Sequence, residues 1–150
     1  MSYYITCLII KDNIEIDDNI DFIKLDGLIF FVLDDNFKLF IKNAGDFVSL
    51  TIYFDYLKSR DDFEDKSSIA KLITIIEDHN IDHFILEHYF EFGDIPADHF
   101  FMMACDGIII NDSLVFDEDN EFSEKNYARM KHYKKDFGLN EYWFSRTDLF

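Results

Sequence analysis

Between residues 72 and 124 there is no lysine and no arginine, yet the same stretch holds fourteen of the 31 acidic residues. Proline is nearly missing as well, at 1 in 150, and glycine numbers 5, so asparagine and aspartate must supply most turns. There are two cysteines, Cys7 and Cys105, each in an apolar context and without framework spacing. Both are expected as buried, reduced thiols. Residues 28–33 form one of the longest wholly apolar runs, far short of the roughly 20 residues that span a bilayer. Residues 8–10 are too short for the core of a signal peptide, with no base before them and no small-residue cleavage site after. Together these absences point to the cytoplasm. Phosphate contacts need lysine and arginine, so a net charge of −17 disfavours direct nucleic-acid binding and, equally, anionic membranes. Serine-hydrolase elbows, phosphate-binding glycine loops, dinucleotide fingerprints and paired Cys-x-x-Cys motifs are all missing. The expectation is therefore no catalytic residue, no cofactor and no metal.

What is present is globular. The chain is 49% hydrophobic against 30% charged, which sets its acidity apart from that of a disordered acidic tail. With 18 phenylalanines the core is expected to be Phe-rich, and the bias toward Asn, Asp, Ile, Lys and Phe hints at an AT-rich, bacterial genome. A length of 150 residues fits one domain, 1–150, with a single sizeable core. No composition break, repeat or flexible linker divides it.

Residues 3–10 read as a buried, central strand, and 12–21 as a loop or edge strand. Strands over 22–25 and 28–33 flank Asp26–Gly27, a two-residue hairpin signal. Alternation then suggests strands over 37–42 and 47–54, and 56–66 reads as an exposed charged connection. Ser67 or Ser68 caps a helix to about His79, with Ile69, Leu72, Ile73 and Ile76 on one stripe. Residues 83–92 alternate cleanly, with Phe84, Leu86, His88, Phe90 and Phe92 on one face of a strand and His83, Ile85, Glu87, Tyr89 and Glu91 on the other. Pro96 suits the first turn of a short helix to about Ala104. Residues 107–111 and 113–116 look like two short strands or one interrupted strand. Ser123 caps a last helix to about Phe137, with Tyr127, Met130 and Phe137 on its buried side, Lys131, Lys134 and Lys135 matched to its dipole, and Gly138 as the stop. Residues 141–144 are expected as a final strand. The fold class is α+β: an antiparallel β-meander followed by mixed helices and strands.

His79, His83 and Glu87 have the spacing of a helical metal face, with His88 nearby, and would suit zinc in a small metal-assisted hydrolase. Asn80-Ile81-Asp82 and the alternation after it break such a helix, which favours a structural role. The 117–121 run has the carboxylate density of a calcium loop, but Phe122 and Ala128 stand where an EF-hand needs Gly and Glu. Cys105 with His99 or His88 would make a nucleophile pair only in an electropositive setting, the opposite of what the acids provide. The functional reading of the acidic loop is a phosphate-imitating, partner-binding cluster of Asp112, Asp117, Glu118, Asp119, Glu121, Phe122 and Glu124.

In size, charge and its 72–124 acid block, the chain resembles the immunity proteins of bacterial toxin systems, of the contact-dependent inhibition and polymorphic toxin type. That resemblance implies a stoichiometric toxin inhibitor acting by protein–protein interaction. Its acids would occlude the active-site cleft of a basic partner, such as a toxin nuclease domain. A non-catalytic regulatory or structural module, kept soluble by its charge, is the third reading.

Overall fold

The first strand is apolar at nearly every position, and an unbroken apolar strand needs cover on both faces. In the computed structural model, which describes residues 2–17, 19–34, 37–93, 95–116 and 124–145 (without the side chains of 2, 3 and 95–97), β1 (Ser2–Lys11) has that position. It lies between β3 (Leu28–Leu33) and β4 (Phe84–Phe92), antiparallel to both. The hairpin to β3 from β2 (Ile23–Leu25) turns at Asp26–Gly27, both at positive φ (56° and 78°), as its two-residue turn requires. Beyond β4 come β5 (Ile95–Cys105) and, on its outer side, β6 (Ile108–Ile109) and β7 (Val115–Phe116). The chain is thus α+β, and its described residues form seven antiparallel strands in one sheet and four α-helices.

Three helices cover one face. They are α1 (Lys38–Ala44), α2 (Leu50–Ser59) and α3 (Ser68–Asp78). The first two replace the strands expected over 37–42 and 47–54. Their apolar residues also obey helical spacing, and that pattern runs on where the alternation stops. Phe37, Phe40, Ile41 and Ala44 are buried at i, i+3, i+4 and i+7, and so are Leu50, Tyr53, Phe54 and Leu57. Ser49 caps α2 by accepting the Ile52 N–H at 3.3 Å, and Ser67 caps α3 by accepting that of Ala70 at 3.1 Å. The supposed connection at 56–66 therefore begins as the last turn of α2.

The other face is covered by α4 (Glu124–Phe137) and by the chain end, where a 3₁₀ turn (Trp143–Ser145) stands in place of the expected strand. Its Trp143 and Phe144 are buried against the sheet. The helix expected after Pro96 is instead β5. Phe100, Met102 and Ala104 are buried on the α1–α3 side, and Phe101 and Met103 on the α4 side. A strand buried on both faces and a buried helix look alike by hydropathy alone. Pro96 is accommodated because it pairs with Glu91 where the β4–β5 register shifts. Gly138, at φ 88°, ends α4 as expected. No helix among the described residues is long and apolar enough to cross a membrane.

Candidate interaction surface

The antiparallel register gathers several turns at one end of the sheet. There the Asp26–Gly27 turn meets the end of β1, while Asp82 precedes β4 and the Asp106–Gly107 turn follows β5. The Gly107 N–H donates to the Asp82 carbonyl at 3.0 Å, and the Leu50 N–H to the Gly107 carbonyl at 2.9 Å, so α2 is tied to this end. The last turn of α3 brings Glu77 and Asp78 to the same place. Between α2, α3 and the β5–β6 turn lies an open groove of about 470 Å³, lined by Leu50, Thr51, Phe54, Ile76, Glu77, Asn80, Ile81, Asp82 and Gly107. Glu77 is bridged by Lys58 at 2.5 Å, whereas exposed Asp78, Asp82 and Asp106 make no salt bridge among the described residues. Their field is felt nearby: burial first, then Asp106 and Asp82, push the Cys105 thiol up. Cys105 is thereby kept from the thiolate form a nucleophile needs.

The remaining acids of the 72–124 stretch do not all join this end. Asp112 sits in a 3₁₀ turn (Asn111–Ser113), where Arg129 bridges it and the Tyr133 hydroxyl donates to it at 3.3 Å. Asp98 is bridged by Lys38. Glu124 is exposed in the first turn of α4, where its charge suits the helix dipole. Asp117, Glu118, Asp119, Glu121 and Phe122 lie outside the described residues, as do the supposed calcium loop and the Ser123 cap.

One acid is buried outright. Glu87 alternates with Ile85 and Tyr89 on the α4 side of β4 and is wholly enclosed, as is Lys134 of α4. The Lys134 ammonium donates to Glu87 Oε2 at 2.8 Å, lies 2.7 Å from Oε1, and donates to the Glu141 carbonyl at 2.7 Å. Trp143 Nε1 donates to Glu87 at 2.6 Å, and His99 Nε2 lies 2.5 Å from the carboxylate. Aromatic rings wall the group in: Tyr89 stacks on Phe144 at 4.1 Å, and Phe144 lies 5.3 Å beneath the Lys134 ammonium. Burial pushes the Glu87 carboxyl up, but the Lys134 charge and the His99 hydrogen bond and charge outweigh it and hold it down at about 2. The same carboxylate adds to the burial that raises the Cys7 thiol.

Sequence reasoning read Lys134 only as a match to the helix dipole. The available signal was its place on the apolar stripe of α4, at i+4 from Met130 and i−3 from Phe137, facing a strand with one acid in its own buried row.

The histidines occupy separate environments. At the end of α3, His79 places Nδ1 2.9 Å from the Ile75 carbonyl, and its Nε2 accepts the Asp17 N–H at 3.5 Å. His83 lies edge-on to Phe137 at 5.0 Å, and burial, then Lys11, lower its pKa. His88, on the face of β4 opposite Glu87, bonds the Thr6 hydroxyl at 2.7 Å. Among the described residues no three His, Cys, Asp or Glu groups are placed to hold a metal ion. Comparison with protein families, curated proteins and solved structures finds no match to this chain.

Proposed function

We propose that the protein is an acidic, cytoplasmic inhibitor that binds a basic protein, in the manner of the toxin-neutralising immunity proteins it resembles. The observation that carries this reading is the groove at the end of the sheet. Glu77 and Asp82 line it, and Asp78 and Asp106, unbridged among the described residues, stand beside it, on a chain of net charge −17. A concave site with one sign of charge focuses its field and speeds the arrival of oppositely charged partners. The carboxylates would take the lysines and arginines that a nuclease toxin uses to hold phosphate, blocking its cleft. The 112–124 segment is proposed as a further contact, with Asp117, Glu118, Asp119, Glu121 and Glu124 supplying charge around Phe122. Asp112 would join only at the expense of its bridge to Arg129. The metal-hydrolase alternative is disfavoured by geometry, since His88 and Glu87 point to opposite faces of β4.

The test is affinity capture of tagged protein at low salt from cells that encode it, followed by binding kinetics with the captured protein. The expected result is a basic protein at 1:1 stoichiometry whose association slows as salt rises. Asp82→Lys with Asp106→Lys should slow association about tenfold or more at low salt, within the range electrostatic steering supplies. Reversal of Asp117, Glu118 and Asp119 to Lys should produce a second, separate loss. Association that ignores both salt and these reversals would sink the proposal.

A further inference from the structure

Nine large apolar side chains are exposed among the described residues, and four of them fall on α1, α2 and the segment between: Leu39 (70%), Val48 (63%), Ile52 (61%) and Tyr56 (44%). A surface helix keeps its apolar stripe toward the core, and α2 does so with Leu50, Tyr53, Phe54 and Leu57. Ile52 and Tyr56, one turn apart, form a second apolar strip on its outward side. Val48 leads into the helix, and the Phe47 ring lies 5.2 Å from that of Tyr56. The Arg60 guanidinium sits 5.9 Å over Tyr56 and also lines a groove of about 280 Å³ that reaches Leu39 through Leu57, Phe63 and Ile69. Thr51, next to Ile52, lines the acidic groove. One surface therefore runs from Leu39 across Arg60 and along the outer side of α2 to Glu77 and Asp82.

Charge selects the occupant. A second copy would bring −17 against −17, and like charges oppose association. The two cations of this surface are already engaged, Lys58 by Glu77 and Arg60 by Asp62. A basic protein would meet the opposite situation, and tight complexes need an apolar or aromatic centre within a charged rim. We infer that the outer strip of α2, Ile52 and Tyr56 with Val48 and Leu39 at its ends, is the anchor site for the basic protein partner. An apolar or aromatic side chain of that partner seats on Ile52 and Tyr56, while its lysines or arginines reach Asp78 and Asp82. The inference rests on the proposed function and specifies the face that performs it.

The experiment is photo-crosslinking in cells that encode the protein, using the full chain with benzoylphenylalanine at position 52, at 39, or at 132 on exposed α4. Adducts are identified by mass spectrometry. The expected result is a basic protein joined from 52 and 39 and not from 132. Adduct yield from position 39 should fall about tenfold or more in an Ile52→Ser, Tyr56→Ser chain whose circular dichroism is unchanged, the loss expected of hot-spot anchors. A basic protein joined from 132 alone would overturn the inference and leave the proposed function standing. A second copy of this chain joined from 52 would also overturn it, as would a yield indifferent to the serine substitutions. Absence of any adduct would count against the proposed function itself.

Discussion

The two faces of the sheet are stabilised by different means. Under α1–α3 the core is apolar and aromatic apart from the buried Thr6–His88 hydrogen bond: Phe40 packs on Tyr53 at 5.1 Å, Phe47 on Tyr53 at 4.8 Å, and the Tyr53 hydroxyl donates to the Phe40 carbonyl within α1. Under α4 the core holds a carboxylate and an ammonium, both wholly enclosed, bonded to each other and to His99, Trp143 and the Glu141 carbonyl. The apolar face should respond to lost volume in proportion, since each removed methylene costs about 1 kcal/mol. The charged face should respond to lost pairing, because a buried ion left alone is far more costly than a pair removed together.

That contrast is sharpest in Lys134→Met, which strands the Glu87 carboxylate, and in Glu87→Leu, which strands the ammonium. Each is expected to cost about 3–5 kcal/mol in urea unfolding, while the double variant should lie much nearer the parent. A double variant that loses the sum of the singles would mean that the cluster is not a self-contained pair.

Acid offers a second way to separate the faces. The Glu87 carboxyl is held at about 2, below its unfolded value of 4.5. The stability it contributes is therefore complete above about pH 4.5 and lost as pH falls toward 2, amounting to about 3 kcal/mol. Fluorescence of Trp143, the single tryptophan and itself a donor to Glu87, should report this loss. The Glu87→Leu, Lys134→Met protein should lack that share of the acid sensitivity. An unchanged acid profile in the double variant would assign the sensitivity elsewhere.

Smaller effects are expected on the helical face and at the surface. Ile73→Val removes one methylene beneath α3 and should cost about 1 kcal/mol, with the same urea slope as the parent. Ser67→Ala removes the cap of α3 and should also cost about 1 kcal/mol. Lys58→Ala breaks the bridge to Glu77, both side chains being 40% exposed, and should change stability by less than about 0.5 kcal/mol. A loss from Lys58→Ala as large as that from Lys134→Met would erase the distinction between buried and exposed pairs.

Much of this architecture is readable from residue order. The unbroken apolar run of β1, the Asp26–Gly27 turn, the caps and stripe of α3, the alternation of β4 and the Gly138 stop each give one consistent local signal. Errors fall where two periods fit the same residues. Phe37, Leu39 and Ile41 satisfy a strand, but Phe37, Phe40, Ile41 and Ala44 satisfy a helix, and packing on the sheet favours the second at the cost of exposing Leu39. In β5, burial on both sides removes the alternation that marks a strand. The acid block was legible as charge but not as surface. Its neutralisers, Lys38, Lys58, Arg129 and Lys134, come from distant parts of the chain, and only the register shows which acids they reach. The outer strip of α2 was hidden for the same reason, since residues assigned to a strand cannot show two helical faces.

The position of β1 also sets a timetable. Its partner β3 follows within about twenty residues, but the pairing of Ile9 with Ile85 waits for about fifty more. Such non-local closure is slow, because its entropy is lost before its contacts form. During synthesis the far edge of β1, apolar on both faces, stays open while α1, α2 and α3 emerge, and open apolar edges invite association with other chains. The α1–α3 layer can collapse onto the β2–β3–β1 half-sheet in that interval, whereas the Glu87–Lys134 pair belongs to the last step, after residue 134 has left the ribosome.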